Sequence, residues 1–94
     1  KRPFDVELTY YIARSNQASA TAIQARVDAA IQDFISWQTT EIGRDINPTE
    51  LIRRVRDAGA KRVELTFPAF TAVQETEVAR LGSQKVTYGG LEDD

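Results

Sequence analysis

Two pairs of carboxylates, Asp5 with Glu7 and Glu75 with Glu77, stand two residues apart in this chain. Hydrolases use such pairs at a fixed separation, one group as acid and the other as base or nucleophile. Nothing apolar surrounds either pair to raise a pKa, so both read as solvated faces. Asp45 and Asn47 begin like a calcium loop, but Pro48-Thr49-Glu50-Leu51 supplies neither the loop's glycine nor its terminal glutamate. Gly89-Gly90 has no following helix to offer amides to a phosphate. Ser15, Ser19, Ser36 and Ser83 have no base to activate them, because the chain contains no histidine. It contains no cysteine either, which excludes disulfides and thiolate metal sites. No catalytic, metal-binding or cofactor-binding residue is assigned.

The remaining chemistry is charge. The net charge of −2 is unevenly divided: residues 44–62 carry +3, residues 63–94 carry −4, and residues 1–43 carry −1. Arg53, Arg54 and Arg56 are the best nucleic-acid candidates, with Arg53 and Arg56 facing away from the core beside Lys61 and Arg62. Yet Glu50–Arg54 and Arg53–Asp57 are (i, i+4) pairs of opposite sign, so the patch largely neutralises itself. No aromatic side chain interleaves with it, as single-strand binding requires. A solvated or protein-binding helix face is the better reading.

The elements that carry these groups follow from periodicity. Residues 4–12 alternate strictly, with Phe4, Val6, Leu8, Tyr10 and Ile12 on one face and Asp5, Glu7, Thr9 and Tyr11 on the other, a half-buried strand. Residues 14–20 serve as a connection. A helix is predicted from about 20 to 42, capped by Ser19 or by a Thr21/Gln24 box. Its stripe holds Ile23, Val27, Ala30, Ile31, Phe34, Ile35 and Ile42, with Trp37 at the edge. A second helix over about 48–58 buries Leu51, Ile52, Val55 and Ala58. Lys61–Phe67 reads as a strand with Val63, Leu65 and Phe67 inward, stopped by Pro68. Residues 68–82 are irregular, with Phe70, Val73, Val78 and Leu81 tucked against the sheet. Residues 83–88 form a last strand, and Gly89–Asp94 a frayed acidic end. No run approaches the length of a membrane span. The expected fold is α+β, a two-layer sandwich of β-α-α-β-β order: a three-stranded, mostly antiparallel sheet with two helices on one face. A mixed sheet is the alternative. Either way the other face of the sheet is left open within the chain.

The joint between the helices is the sharpest local signal. Gly43 suits the left-handed residue that closes a helix. Asn47 is a strong N-cap and Pro48 fits the first helical position. Glu50, three after Asn47, is placed to reach back to the cap amide, and Ile46 and Leu51 form a hydrophobic staple across it.

The same stretch carries a family resemblance. Trp37-Gln38, Gly43-Arg44-Asp45-Ile46-Asn47-Pro48-Thr49-Glu50-Leu51 and Ala58-Gly59-Ala60-Lys61-Arg62-Val63 resemble the C-terminal part of baseplate J-like proteins, structural subunits of contractile phage tails. Asp5 to Tyr11, Val78 to Gly82 and Val86 to Gly90 extend the match over nearly the whole chain. The resemblance implies a non-enzymatic assembly role in a phage or prophage baseplate, a ring around the tail tube, with neighbouring tail subunits as partners. It implies no cofactor and no small-molecule substrate, and localisation to the virion tail after synthesis in the host cytoplasm; the self-neutralised arginine patch argues against nucleic acid as a partner. Residues 1–94 are expected to form one domain, the C-terminal piece of a longer protein. The competing reading is a small ligand- or nucleic-acid-binding α+β module that uses the open sheet face or the arginine-bearing helix.

Candidate interface residues follow from the faces left uncovered. Ala22, Ala25, Ala29 and Ser36, with Gln32 among them, lie opposite the long helix's apolar stripe and make a smooth strip that a neighbour can approach closely. Tyr11 stands on the open sheet face, and Arg53 and Arg56 on the outside of the second helix. Asn47 and Glu50 are structural, at the cap. Replacing Asn47 by alanine is expected to lower stability by ~1 kcal/mol, the usual worth of such a cap. A shift of the chemical-denaturation midpoint, at unchanged slope, checks it.

Overall fold

The computed structural model describes residues 2–93; Lys1 and Asp94, the two ends of the expected domain, lie outside the described residues. In order along the chain come β1 (Arg2–Ala13), a 3-10 turn (Arg14–Ser19), α1 (Ala20–Thr40), α2 (Pro48–Asp57), β2 (Arg62–Phe67) and β3 (Ala79–Glu92). The three strands form one sheet in the order β2-β1-β3. Both helices pack on the same face, giving the α+β arrangement of two helices on a three-stranded sheet.

β1 is the centre of this arrangement because its alternation is complete. Phe4, Val6, Leu8, Tyr10 and Ile12 are all buried, and they meet Ile23, Val27, Ile31 and Phe34 of α1 and Leu51 and Val55 of α2. Phe34 is fully buried and takes Phe4 edge-on at 6.4 Å between ring centroids. β2 runs antiparallel to β1, as two intervening helices suggest. β3 runs parallel to β1, so the sheet is mixed, the arrangement held as the alternative. The reason is a crossing. β2 ends beside Glu7, short of the start of β1, and residues 68–78 carry the chain across that end of the sheet to the far side of β1. β3 then starts level with β1, Ala79 beside Arg2.

That crossing is pinned to the joint between the helices. Ile46 and Thr71 exchange backbone hydrogen bonds of 2.8 and 3.1 Å, Gly43 N donates to Glu77 O at 2.7 Å, and Ile42 bridges to Val78. Asp45 Oδ1 accepts from Val73 N at 2.9 Å. Gly43 has φ +79°, and a Cβ there would come within 3.3 Å of the Glu75 backbone, so both its conformation and its neighbour favour glycine.

Several local expectations change. Asn47 Oδ1 accepts from Thr49 N at 3.0 Å, so the cap is present. Glu50 does not reach back to the Asn47 amide; its carboxylate is held by Arg53 and Arg54. The Asn47 amide instead donates to Gln38 Oε1 at 3.3 Å. α1 has no side-chain bond at Ser19, because the 3-10 turn runs straight into it and the Ala20 amide bonds to Gln17 O. The helix ends at Thr40, so Ile42 leaves the stripe and is 64% exposed. In β2, a register shift between Glu7 and Leu8 sets Phe67 opposite outward-facing Glu7, and Phe67 is exposed rather than inward. Val73 is buried as expected of the crossing, but Phe70 is 64% exposed. β3 is much longer than residues 83–88, and Gly89–Glu92 belong to it instead of fraying.

Gln38, although polar, falls in the buried stripe, four residues after Phe34, and is fully buried. Its Nε2 donates to Arg44 O at 3.2 Å and Asp45 O at 2.9 Å, while its Oε1 takes the Asn47 amide. Three backbone groups of the joint are thus satisfied inside the core. Gln38→Ala strands all three and is expected to cost on the order of 3 kcal/mol. Gln38→Met, which keeps the volume, should rescue little of it in urea denaturation.

Candidate functional site: the outer sheet face and the outer helix surfaces

The face of the sheet away from the helices is assembled from the odd residues of β1 and their neighbours. Thr9 lies between Glu64 and Thr87, Tyr11 between Arg62 and Gly90, and Glu7 beside Lys85. The Tyr11 hydroxyl donates to Glu64 Oε1 at 3.0 Å, and the Arg62 guanidinium sits 4.2 Å from the centre of the Tyr11 ring. Arg62 then divides its donors between two strands, Nη1 to Glu64 at 2.9 Å and Nη2 to Glu92 at 2.7 Å. Lys61 Nζ reaches the same Glu92 at 3.0 Å. The Tyr11 ring lies across Gly89, where any Cβ would collide with it. Glycine here makes room for an aromatic bridge between strands.

These contacts hold the charges firmly. Hydrogen bonds from Arg62, then from Lys61, pull the Glu92 carboxyl down to about 2. Arg62 and then Tyr11 lower that of Glu64, and the bond to Glu64 raises the Tyr11 phenol. The face is less acidic than β1 and β2 alone imply. β3 adds Arg80, Lys85 and Thr87, level with Pro3, Glu7 and Thr9.

The outside of α2 is also self-neutralised. Glu50 binds Arg54 at 2.6 Å and Arg53 at 2.7 Å, and Arg53 binds Asp57 at 2.9 Å. The Arg53 bond, then that from Arg54, lowers the Glu50 carboxyl. Arg54 is turned inward over the Trp37 ring, which Arg44 covers at 4.2 Å. Arg56 is exposed and forms no ion pair among the described residues. On α1, Ala22, Ala25, Ala29 and Ser36 are all exposed. Gln32 leans toward the sheet and donates to Gln84 Oε1 at 3.2 Å. The structure therefore keeps the sequence-derived candidates apart on three surfaces: Tyr11 on the sheet, Arg53 and Arg56 on α2, and the small residues on α1.

The carboxylate pairs do not converge on a centre. Asp5 is exposed on the outer sheet face, and Glu77 Oε1 accepts the Gln74 amide in a turn at the crossing. No group of three potential metal ligands occurs among the described residues. No helix among the described residues is long and apolar enough to cross a membrane. What sequence reasoning missed is Glu92, the acid that ties β3 to β2 across β1. Its spacing carried no signal, because its partners are set by strand order.

The chain matches the model of the baseplate J-like protein C-terminal domain over residues 5–88. It belongs to that family. Comparison with curated proteins returned no match. The matched span runs from Asp5 of β1 to Tyr88 of β3 and takes in both helices and the joint. Membership in the baseplate J-like family gives the chain a structural role in the phage tail baseplate, among other tail components.

The ion pairs of the outer face make stability depend on acid. A carboxylate held at about 2 against an ordinary 4.5 stabilises the folded chain fully above 4.5 and loses that effect as pH falls through 2. Glu64 and Glu50 act in the same direction. The urea midpoint is expected to fall over that window. Arg62→Ala should lower the midpoint at neutral pH and flatten the decline.

Proposed function

We propose that the chain is the C-terminal domain of a longer baseplate protein and works as an assembly module, through protein–protein contacts and without catalysis or cofactor. The observation that carries this reading, beside the family match, is the nature of the outer surfaces. The sheet face is cross-braced by Arg62 over three strands, with Arg62 and Lys61 already paired to Glu64 and Glu92. The back of α1 offers exposed alanines at helical spacing, which let a neighbouring backbone come close. Surfaces that need little side-chain ordering lose little entropy when a partner docks. Neighbouring subunits of the tail are the proposed partners, and the virion baseplate the proposed location after synthesis in the host cytoplasm.

A nucleic-acid role has weaker support. Arg53 and Arg54 are bound to acids on their own helix, and the acids of the sheet face repel phosphate. Binding to DNA or RNA is expected at the non-specific level, on the order of 10⁻⁴–10⁻⁶ M, and to vanish with salt. The double variant Ala25→Arg, Ala29→Arg keeps the helix but fills the strip. It should fold normally by circular dichroism and impair incorporation into baseplates on reconstitution. Normal incorporation would remove the strip from the interface, and sub-micromolar sequence-selective nucleic-acid binding would overturn the assembly reading.

A further inference from the structure

β3 is an edge strand of 14 residues, paired to β1 on one side and to nothing on the other among the described residues. Such an edge is a template for another strand. Its detailed pattern indicates which strand. Between Phe4 and Val6, β1 advances two residues while β3 advances three, from Leu81 to Gln84. Between Tyr10 and Tyr11, β1 advances one while β3 advances two, from Tyr88 to Gly90. β3 therefore carries an extra residue at Gly82-Ser83 and another at Gly89-Gly90. An ordinary regular strand laid on its free edge would fall out of step at both places.

The two irregularities are symmetric about Val86, and so are the faces. Leu81, Gln84, Val86, Tyr88 and Leu91 stand beside inward residues of β1, whereas Arg80, Lys85, Thr87 and Glu92 stand beside outward ones. A second β3, antiparallel and centred on Val86, sets Leu81 against Leu91, Gln84 against Tyr88, Lys85 against Thr87 and Arg80 against Glu92. Every pair shares a face, and the extra residues meet each other, Gly82 with Gly90 and Ser83 with Gly89. The charged pair is complementary in sign and occurs twice, each Glu92 also holding Lys61 and Arg62 of its own chain. Leu81 also lines a groove of about 430 Å³ with Ile35, Thr39, Val78, Ala79 and Arg80, beside which Leu91 of the second copy arrives.

We propose that two copies of this chain associate through their β3 edges about a two-fold axis at Val86, forming a continuous six-stranded sheet. The pairing rests on the pattern of β3 and stands or falls independently of the assembly role proposed above.

The test uses the 94-residue chain itself. Sedimentation velocity across micromolar concentrations should show a monomer–dimer equilibrium. Arg80 is exposed and makes no ion pair among the described residues, so Arg80→Glu should leave the thermal midpoint in place. It creates two like-charged pairs in the dimer and should raise the dissociation constant about tenfold or more. Val86→Cys fixes the register. Directly opposed residues of an antiparallel pair have Cα atoms about 4.5–5.5 Å apart, within disulfide reach, and the chain has no other cysteine. Val86→Cys should therefore cross-link on mild oxidation in dilute solution, while Thr66→Cys, exposed on β2, should not. A monomer at all concentrations overturns the proposal. So does a dimer indifferent to Arg80→Glu, or one in which Thr66→Cys cross-links as readily as Val86→Cys.

Discussion

The buried amide of Gln38 is the constraint on which the rest of the chain depends. A helix that ends inside a protein leaves carbonyls without partners, and a linker entering the core brings polar groups of its own. Gln38 answers the linker's need with one side chain: two donors for Arg44 O and Asp45 O, one acceptor for the Asn47 amide. Because these bonds are made in the dry interior, their geometry is enforced by the cost of leaving any one unmade. They set where α2 begins and at what angle it lies on the sheet. They also hold out the opposite edge of the linker, where Ile46 and Asp45 take Thr71 and Val73. The strand order follows from that attachment. A crossing fixed to the joint must deliver the chain to the free side of β1.

How much of this was legible follows from the range of the interaction responsible. β1 could be read because alternation is local and every second residue is buried. The Asn47 cap could be read because its donor is two residues away. Phe67 and Ile42 were misread because a period was extended past the point where the backbone leaves it, at a register shift in one case and at a helix end in the other. β3 was cut short because its glycines and polar residues look like turn chemistry, whereas they are the marks of an irregular edge strand. Gln38 is legible by phase but not by residue type, since an apolar stripe gives no signal at a glutamine. Of the candidate surfaces, the exposure of the α1 strip was readable from phase alone. The electrostatics of the sheet face were not, since Glu92 and Lys85 join it through a pairing separated by many residues from β2 and β1.

The charge distribution along the chain takes on meaning in the fold. The basic segment 44–62 and the acidic segment 63–94 look like opposite poles in the sequence. In space they are interleaved: Lys61 and Arg62 meet Glu92, and Arg62 meets Glu64. The long separation of these partners makes the ion pairs braces between strands, not features of one element. Exposed pairs of this kind contribute little individually to stability. Their larger effect is on arrangement, since a guanidinium spread over a tyrosine and held by two acids ties the three strands together on this face.

An exposed edge of 14 residues is a hazard that a lone protein must blunt, and β3 has the usual means: a lysine and an arginine on its outer face and a break in step near each end. Those means are not equally effective against every strand. A break in step excludes a regular partner, because its backbone groups would face gaps in the ladder. It does not exclude a partner with the same breaks in mirrored positions. The cations act in the same way, deterring basic strands but accepting one whose acid lies at the matching place. In β3 both devices are disposed about one residue, Val86, so they reject foreign edges while admitting a copy of the same chain.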